Sequence, residues 1–202
     1  RVYVAVTTGE GPAHLEIVDT ATRAVIGTVP AGVRPFDVLV APDGSWAATV
    51  DHDSFTVTVV DAETLSPVTH EVAPFGSEGG LASWEKPHYG AVAADGMILL
   101  PYQGQVVVRL DPRTGERTMI PSAANSHAHG TTLAGSRLLT VGTGAFGSAD
   151  GVPNLSILDV ETGSESVVPL NLPHETVALW RDEAGAEFAA VAGGNTRDEG
   201  WE

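Results

Sequence analysis

Three histidines recur at one position of a repeated unit, and their spacing points to metal chemistry. His88, His129 and His174 each open a short apolar run and lie 41 and 45 residues apart. A period of about 40–50 residues is typical of β-modules that are stacked or arranged around an axis. Equivalent positions of such modules face one another, and converging imidazoles commonly hold a transition metal. The repeat therefore predicts a histidine metal site on the shared axis.

Two more residues complete the predicted site. His127 lies two residues before His129, and residues i and i+2 share one face of a strand. Asp51 follows the second apolar run of its unit, in a loop that we expect on the same rim as the histidines. A carboxylate there would complete a tetrahedral site of nitrogen and oxygen ligands. We therefore expect the metal ligands to be His88, His127, His129, His174 and Asp51.

An aspartate and a threonine mark the same turn in successive units. Asp19, Asp61, Asp111 and Asp159 each end a strand-like run, and each precedes a threonine by three residues. Aspartate and threonine side chains accept hydrogen bonds from nearby backbone N–H groups, which suits a tight turn. A second turn lies upstream, as in Ala41-Pro42-Asp43-Gly44. An Asp-Gly pair between two apolar runs is typical of a β-hairpin.

The runs between these turns predict strands and no helices. β-branched residues dominate them, glycine, proline and aspartate separate them, and no window shows the apolar stripe of a helix. Four short antiparallel strands in each unit are the pattern of one propeller blade. A β-sandwich is the alternative, but it does not predict a fixed repeat. The predicted fold class is all-β, a β-propeller of four-stranded antiparallel blades.

The stretch Gly32–Leu65, GVRPFDVLVAPDGSWAATVDHDSFTVTVVDAETL, resembles the YVTN-type β-propeller repeat. That repeat has a proline before the first strand, a Pro-Asp-Gly turn, Asn or Asp after the second strand, and an Asp-x-x-Thr turn after the third. The resemblance covers nearly the whole chain and implies a propeller that is periplasmic or secreted. It says little about activity, because this fold serves many functions.

The repeat predicts a single propeller domain of 202 residues that is incomplete. The expected blade units are approximately 1–31, 32–74, 87–124, 125–172 and 173–202, of which the first and last are partial. Propellers of this repeat have seven or eight blades, which needs roughly 300 or more residues. We therefore expect about four to five blades of such a ring, with the remainder elsewhere in a longer protein or in a second chain that completes the propeller.

Composition excludes several partners and ligand types. The net charge is −16, from 26 acidic and 10 basic residues, so we expect neither nucleic acid nor an anionic membrane surface as a partner. An acidic surface instead raises the local concentration of cations. The chain has no cysteine, which excludes disulfides and thiolate metal sites. No apolar stretch is long enough to span a membrane.

The placement of His88, His127, His129 and His174 also resembles the periplasmic zinc metallochaperones that serve ABC zinc importers. The resemblance implies a protein that holds zinc near the propeller channel and delivers it to a periplasmic solute-binding protein. Imidazole and carboxylate ligands suit zinc, with copper as the alternative. The absence of cysteine and the presence of only two methionines argue against a Cu(I) carrier.

Two other functions stay open at this point. A propeller enzyme, such as a metal-dependent lyase, hydrolase or oxidoreductase, could use the same histidines around an open coordination position. An interaction scaffold could carry them incidentally. Among the remaining candidates, we prefer Asp51 to His52 because Asp51 takes the position of the repeat's Asn. His14 and His70 are expected to be ordinary surface residues.

Overall fold

The computed structural model describes residues 1–7, 9, 11–72, 87–102, 105–124, 131–142, 152–171 and 176–192. Within these residues the chain forms antiparallel strands only, in five sheets. The strands are β1 (Val2–Val6), β2 (Pro12–Asp19), β3 (Ala24–Val33), β4 (Pro35–Val40), β5 (Trp46–Asp51), β6 (Thr56–Asp61), β7 (Pro67–Glu71), β8 (Ala91–Val92), β9 (Ile98–Tyr102), β10 (Val106–Leu110), β11 (Arg117–Pro121), β12 (Thr131–Ala134), β13 (Arg137–Gly142), β14 (Asn154–Asp159), β15 (Glu165–Pro169), β16 (Thr176–Arg181) and β17 (Glu187–Ala192).

Each sheet is a meander of strands that are consecutive in the chain. The first sheet is β1-β2-β3, the next three are β4 to β7, β8 to β11 and β12 to β15, and the last is β16-β17. The described residues therefore confirm the predicted all-β class and its four-stranded antiparallel units. In the same part of the chain, no helix has the length and apolarity needed to cross a membrane.

The Asp-x-x-Thr turns that begin at Asp19, Asp61 and Asp159 adopt one geometry. Asp61 Oδ1 accepts hydrogen bonds from the N–H groups of Glu63 and Thr64, at 3.0 and 2.7 Å, and from Thr64 Oγ1 at 2.9 Å. Asp19 and Asp159 make the same set. Bonds from the backbone and side chain of Thr162, and from Ser136, lower the pKa of Asp159 to about 2. The recurring sequence signal is therefore a recurring turn that favours an ionised aspartate.

Apolar side chains join each sheet to the next one along the chain. The second and third sheets share the largest cluster, with contributions from β4, β5, β6, β9 and β10; its members include Leu39, Trp46, Val50, Val57, Ile98, Leu100, Tyr102 and Leu110. Separate clusters join the first sheet to the second, the third to the fourth and the fourth to the fifth. The sheets therefore pack face to face in chain order, as blades do.

A histidine on β7 also ties the second sheet to the third. His70 Nε2 lies 2.9 Å from the carbonyl oxygen of Pro112, in the turn between β10 and β11. In the same turn Gly115 has a φ of 76°, and a Cβ there would lie 2.5 Å from His70 Nδ1. The expectation that His70 is an ordinary surface residue is therefore wrong. His14 is partly exposed and lies 3.4 Å from Glu16 Oε1.

Candidate functional site

Two buried imidazoles meet where the second and third sheets adjoin. His52 lies in the turn after β5, and His88 lies just before β8. Their Nε2 atoms are 3.0 Å apart, and only 8% of His52 and 5% of His88 is exposed to solvent. Because each sheet contributes one histidine, the pair depends on the packing of the two sheets.

A carboxylate binds the far nitrogen of one ring of this pair. Asp53 Oδ1 lies 2.6 Å from Nδ1 of His52. An ionised carboxylate can only accept, so Nδ1 of His52 carries the proton of this bond, and in a neutral ring Nε2 is then the acceptor. With His52 neutral, the hydrogen bond between the two Nε2 atoms has His88 as its donor. A carboxylate on the far nitrogen of an imidazole is also the usual partner of a histidine that binds a metal.

Phe36 and Arg34 cover the pair. The Phe36 ring centroid lies 4.5 Å from that of His52 and 5.4 Å from that of His88, nearly parallel to the latter. The Arg34 guanidinium lies 5.0 Å from the Phe36 centroid, and its Nη1 is 3.3 Å from Asp53 Oδ2. Arg34 also adopts a left-handed φ of 55°, and its carbonyl oxygen accepts the His52 N–H at 3.2 Å. Backbone and side chain of Arg34 thus both hold the loop that carries His52.

Asp51 lies in a cluster of hydroxyl groups. Its Oδ2 accepts hydrogen bonds from Thr58 Oγ1 at 2.7 Å and Thr56 Oγ1 at 3.2 Å. Gly32 packs against it so closely that a Cβ on Gly32 would lie 2.6 Å from Asp51 Cβ. Burial raises the pKa of Asp51, and the bond from Thr58 opposes that rise. These contacts favour a role in joining the end of β3 to the second sheet.

Replacing Asp51 by asparagine is expected to raise the melting temperature at pH 7 by about 2–4 °C, the shift that 1 kcal/mol gives in a domain of this size. Because the folded pKa of Asp51 lies above its unfolded value, its ionised form costs stability above the folded pKa. That cost disappears as the pH falls through the folded pKa. Thermal unfolding at pH 7 and at about pH 3, roughly one unit below the ordinary pKa of an aspartate, checks this. A lower melting temperature at pH 7 would contradict it.

The predicted ligands divide into two groups. His88 and Asp51 belong to the described residues, whereas His127, His129 and His174 lie outside them. The contacts given above join His88 to His52, and Asp51 to threonine hydroxyls. Within the described ranges, no group of three or more His, Cys, Asp or Glu side chains is placed to hold a metal ion. The five-ligand site therefore stays a prediction.

From the sequence alone, His52 ranks below Asp51 as a candidate ligand. The alignment of the repeat favoured Asp51, because that residue occupies the position of the repeat's Asn. The overlooked signal is the neighbour of His52, since an Asp directly after a histidine can orient the imidazole. Phe36 takes the place in its unit that His88 takes in the next, so the second sheet contributes a histidine from a different loop.

The comparison with protein-family models gives no match, and no curated protein matches the chain. Solved structures do match. The dihydro-heme d1 dehydrogenase NirN in complex with DHE is 17% identical with a TM-score of 0.67, over 94% of this chain and 39% of that one. The extracellular domain of BT4673 from B. thetaiotaomicron is 13% identical with a TM-score of 0.61, over 93% and 25% of the two chains.

A catalytically inactive variant of virginiamycin B lyase from Staphylococcus aureus, with quinupristin, also matches. It is 10% identical with a TM-score of 0.60, over 86% of this chain and 58% of that one. The fold is that of a β-propeller. At these identities the likeness shows the fold alone. The chain spans between 25% and 58% of the length of the three proteins.

Proposed function

We propose that this chain belongs to an extracytoplasmic zinc metallochaperone, which holds zinc with histidines that converge at the propeller channel. The observation that carries the proposal is the buried pair of His52 and His88, with Nε2 atoms 3.0 Å apart. Zinc is cargo in this function, so the protein must both hold the ion and give it up.

The pair suits two neighbouring positions of a zinc coordination sphere. With Zn–N near 2.0–2.1 Å and tetrahedral angles, two ligand nitrogens lie about 3.3 Å apart. The His52–His88 separation needs only a small opening to reach that value. Asp53 engages Nδ1 of His52, which leaves Nε2 of His52 as the nitrogen that a metal would use.

The remaining ligands are proposed to come from the residues that the repeat predicts. His127, His129 and His174 supply further imidazoles, and Asp51 is the proposed carboxylate. Four ligands fill a structural or carrier site, so two of these residues would join His52 and His88. Imidazole ligands without thiolate or thioether groups favour zinc over Cu(I), with Cu(II) as the competing ion.

Location and partners follow from the same proposal. One of the matching structures is an extracellular domain, which supports a periplasmic or secreted protein. The recipient of zinc would be a periplasmic solute-binding protein. The remaining blades would come from elsewhere in a longer protein or from a second chain. The net charge of −16 supports attraction of cations to the propeller.

The test is the zinc content of untagged protein by elemental analysis, with its intact mass measured alongside. We expect about one zinc per assembled propeller and loss of that zinc in a variant that combines His88→Ala with His174→Ala. His14→Ala is the control, because His14 lies on β2 beside Glu16. Unchanged stoichiometry in the double variant would overturn the proposal.

A specific observation favours one second candidate, a propeller enzyme. Asp53, His52 and His88 form a hydrogen-bonded chain in which a carboxylate orients one imidazole against another, and such chains can move protons. A matching propeller structure is a lyase. Protein that is free of zinc after purification and after dialysis against zinc, but that catalyses elimination or hydrolysis, would favour this function.

A further inference from the structure

A half-buried carboxylate on β4, that of Asp37, reaches the backbone beside His88. Asp37 Oδ2 accepts a hydrogen bond from Gly90 N–H at 3.0 Å, while its Oδ1 accepts one from Val38 N–H at 2.8 Å. Asp37 belongs to the second sheet, and Gly90 lies two residues after His88 at the entrance to the third. We propose that Asp37 is a positioning residue that holds His88 in register with His52. The inference rests on the proposed zinc function.

The backbone around His88 has little sheet pairing of its own. Residues 87–90 precede β8, which is only two residues long and pairs with β9 at Ala91–Leu99 and Val92–Ile98. The corresponding strand of the second sheet, β4, is six residues long. A short strand fixes the segment before it weakly, so a hydrogen bond from a neighbouring sheet has more influence on where His88 lies.

Packing makes Gly90 a good anchor point. A Cβ at Gly90 would lie 3.0 Å from Leu39 Cδ1 and 3.0 Å from Leu100 Cδ2. The backbone therefore approaches both sheets closely here, and the Gly90 N–H faces Asp37. Burial raises the pKa of Asp37, while the two backbone bonds lower it. The carboxylate thus occupies a place where its charge is costly, and the bonds to Gly90 and Val38 offset part of that cost.

The alternative is that Asp37 only stabilises the contact between the sheets. The protein contains a matched case, because His70 also bonds from the second sheet to the third, 2.9 Å from the Pro112 carbonyl oxygen. His70 lies on β7 and is not part of the proposed site. If Asp37 and His70 only stabilise the contact between the sheets, replacing either one should have the same effect on zinc binding. If Asp37 positions His88, only its replacement should change zinc binding.

The experiment compares Asp37→Ala, Asp37→Asn and His70→Ala. Zinc affinity is measured by competition with a chromophoric chelator, and the d–d absorption spectrum of Co(II)-loaded protein reports the coordination geometry. We expect Asp37→Ala to lower zinc affinity by about 10–100-fold, the range for groups that orient a ligand, and to change the Co(II) spectrum. Asp37→Asn keeps one acceptor oxygen, so its zinc affinity should lie between those of the wild type and Asp37→Ala. His70→Ala should leave affinity and spectrum unchanged.

A second readout keeps the inference separate from the zinc function. In metal-free protein, imidazole ¹⁵N chemical shifts of His52 and His88 report their mutual hydrogen bond. We expect Asp37→Ala to shift the His88 signals and His70→Ala to leave them in place. If wild-type protein binds neither Zn(II) nor Co(II), the proposed zinc function is wrong. The chemical shifts alone then test whether Asp37 positions His88. Wild-type shifts in Asp37→Ala, or in Asp37→Asn if the alanine variant does not fold, would overturn the inference.

Discussion

Replacing His52 by alanine is expected to lower zinc affinity by more than about 100-fold, because removal of a ligand exceeds the 10–100-fold effect of removing a ligand's hydrogen-bond partner. His52 is buried and its Nε2 lies 3.0 Å from that of His88, and residues 53–55 of the same turn have no side-chain nitrogen to take its place. The measurement is competition with a chromophoric chelator at neutral pH.

A graded series makes this result specific. Asp53→Asn keeps His52 but replaces the carboxylate that accepts from its Nδ1, so its affinity should fall by about 10–100-fold. His14→Ala should match the wild type, because His14 pairs with Glu16 on β2. A wild-type affinity in His52→Ala would remove His52 from the ligand set and leave His88 to act with the histidines outside the described residues.

Replacing Leu100 by alanine is expected to cost about 2–5 kcal/mol in free energy of unfolding, the usual range for a leucine removed from a core. Leu100 is fully buried on β9 in the cluster that joins the second and third sheets. Its Cδ2 would lie 3.0 Å from a Cβ placed on Gly90, so the cavity would open beside the segment that carries His88. Urea unfolding of metal-free protein measures the loss.

Val68→Ala is the matched control for this change. Val68 lies on β7 in the same pair of sheets but is 53% exposed, and surface substitutions of this kind usually stay within about 0.5 kcal/mol. Equal losses in Leu100→Ala and Val68→Ala would show that the described cluster does not dominate the contact between the sheets. A loss of unfolding free energy confined to Leu100→Ala would show that the buried side chain on β9 stabilises the contact between the sheets.

The sequence predicts the sheets well because their signals are local. Asp61 and Thr64 are three residues apart and form hydrogen bonds within one turn, so the local sequence nearly determines the geometry of the turn. The strands between such turns follow from β-branched runs such as Thr56–Asp61. Because every connection within a sheet joins neighbouring strands, the order of strands needs no long-range information.

The site was harder to predict because it depends on contact between sheets. The repeat identified His88 as a residue at the entrance of a sheet, but it could not show which side chain of the preceding sheet faces it. His52 and Asp51 are adjacent, and only the packing distinguishes them: Asp51 lies among threonine hydroxyls, while His52 turns to His88. His70 was misjudged for the same reason, since its partner is the carbonyl of Pro112 in the next sheet.

The meander order of the strands has a consequence for synthesis on the ribosome. Each sheet is built from one uninterrupted stretch, so it can pair its strands as soon as that stretch emerges, at about 5–20 residues per second. Loop-closure entropy is small for such neighbouring partners. The His52–His88 contact is different, because β8 and β9 must emerge before it can form. The nascent chain therefore completes its second sheet before the imidazole pair can form. A pause in translation between the second and third sheets would delay the contact between His52 and His88.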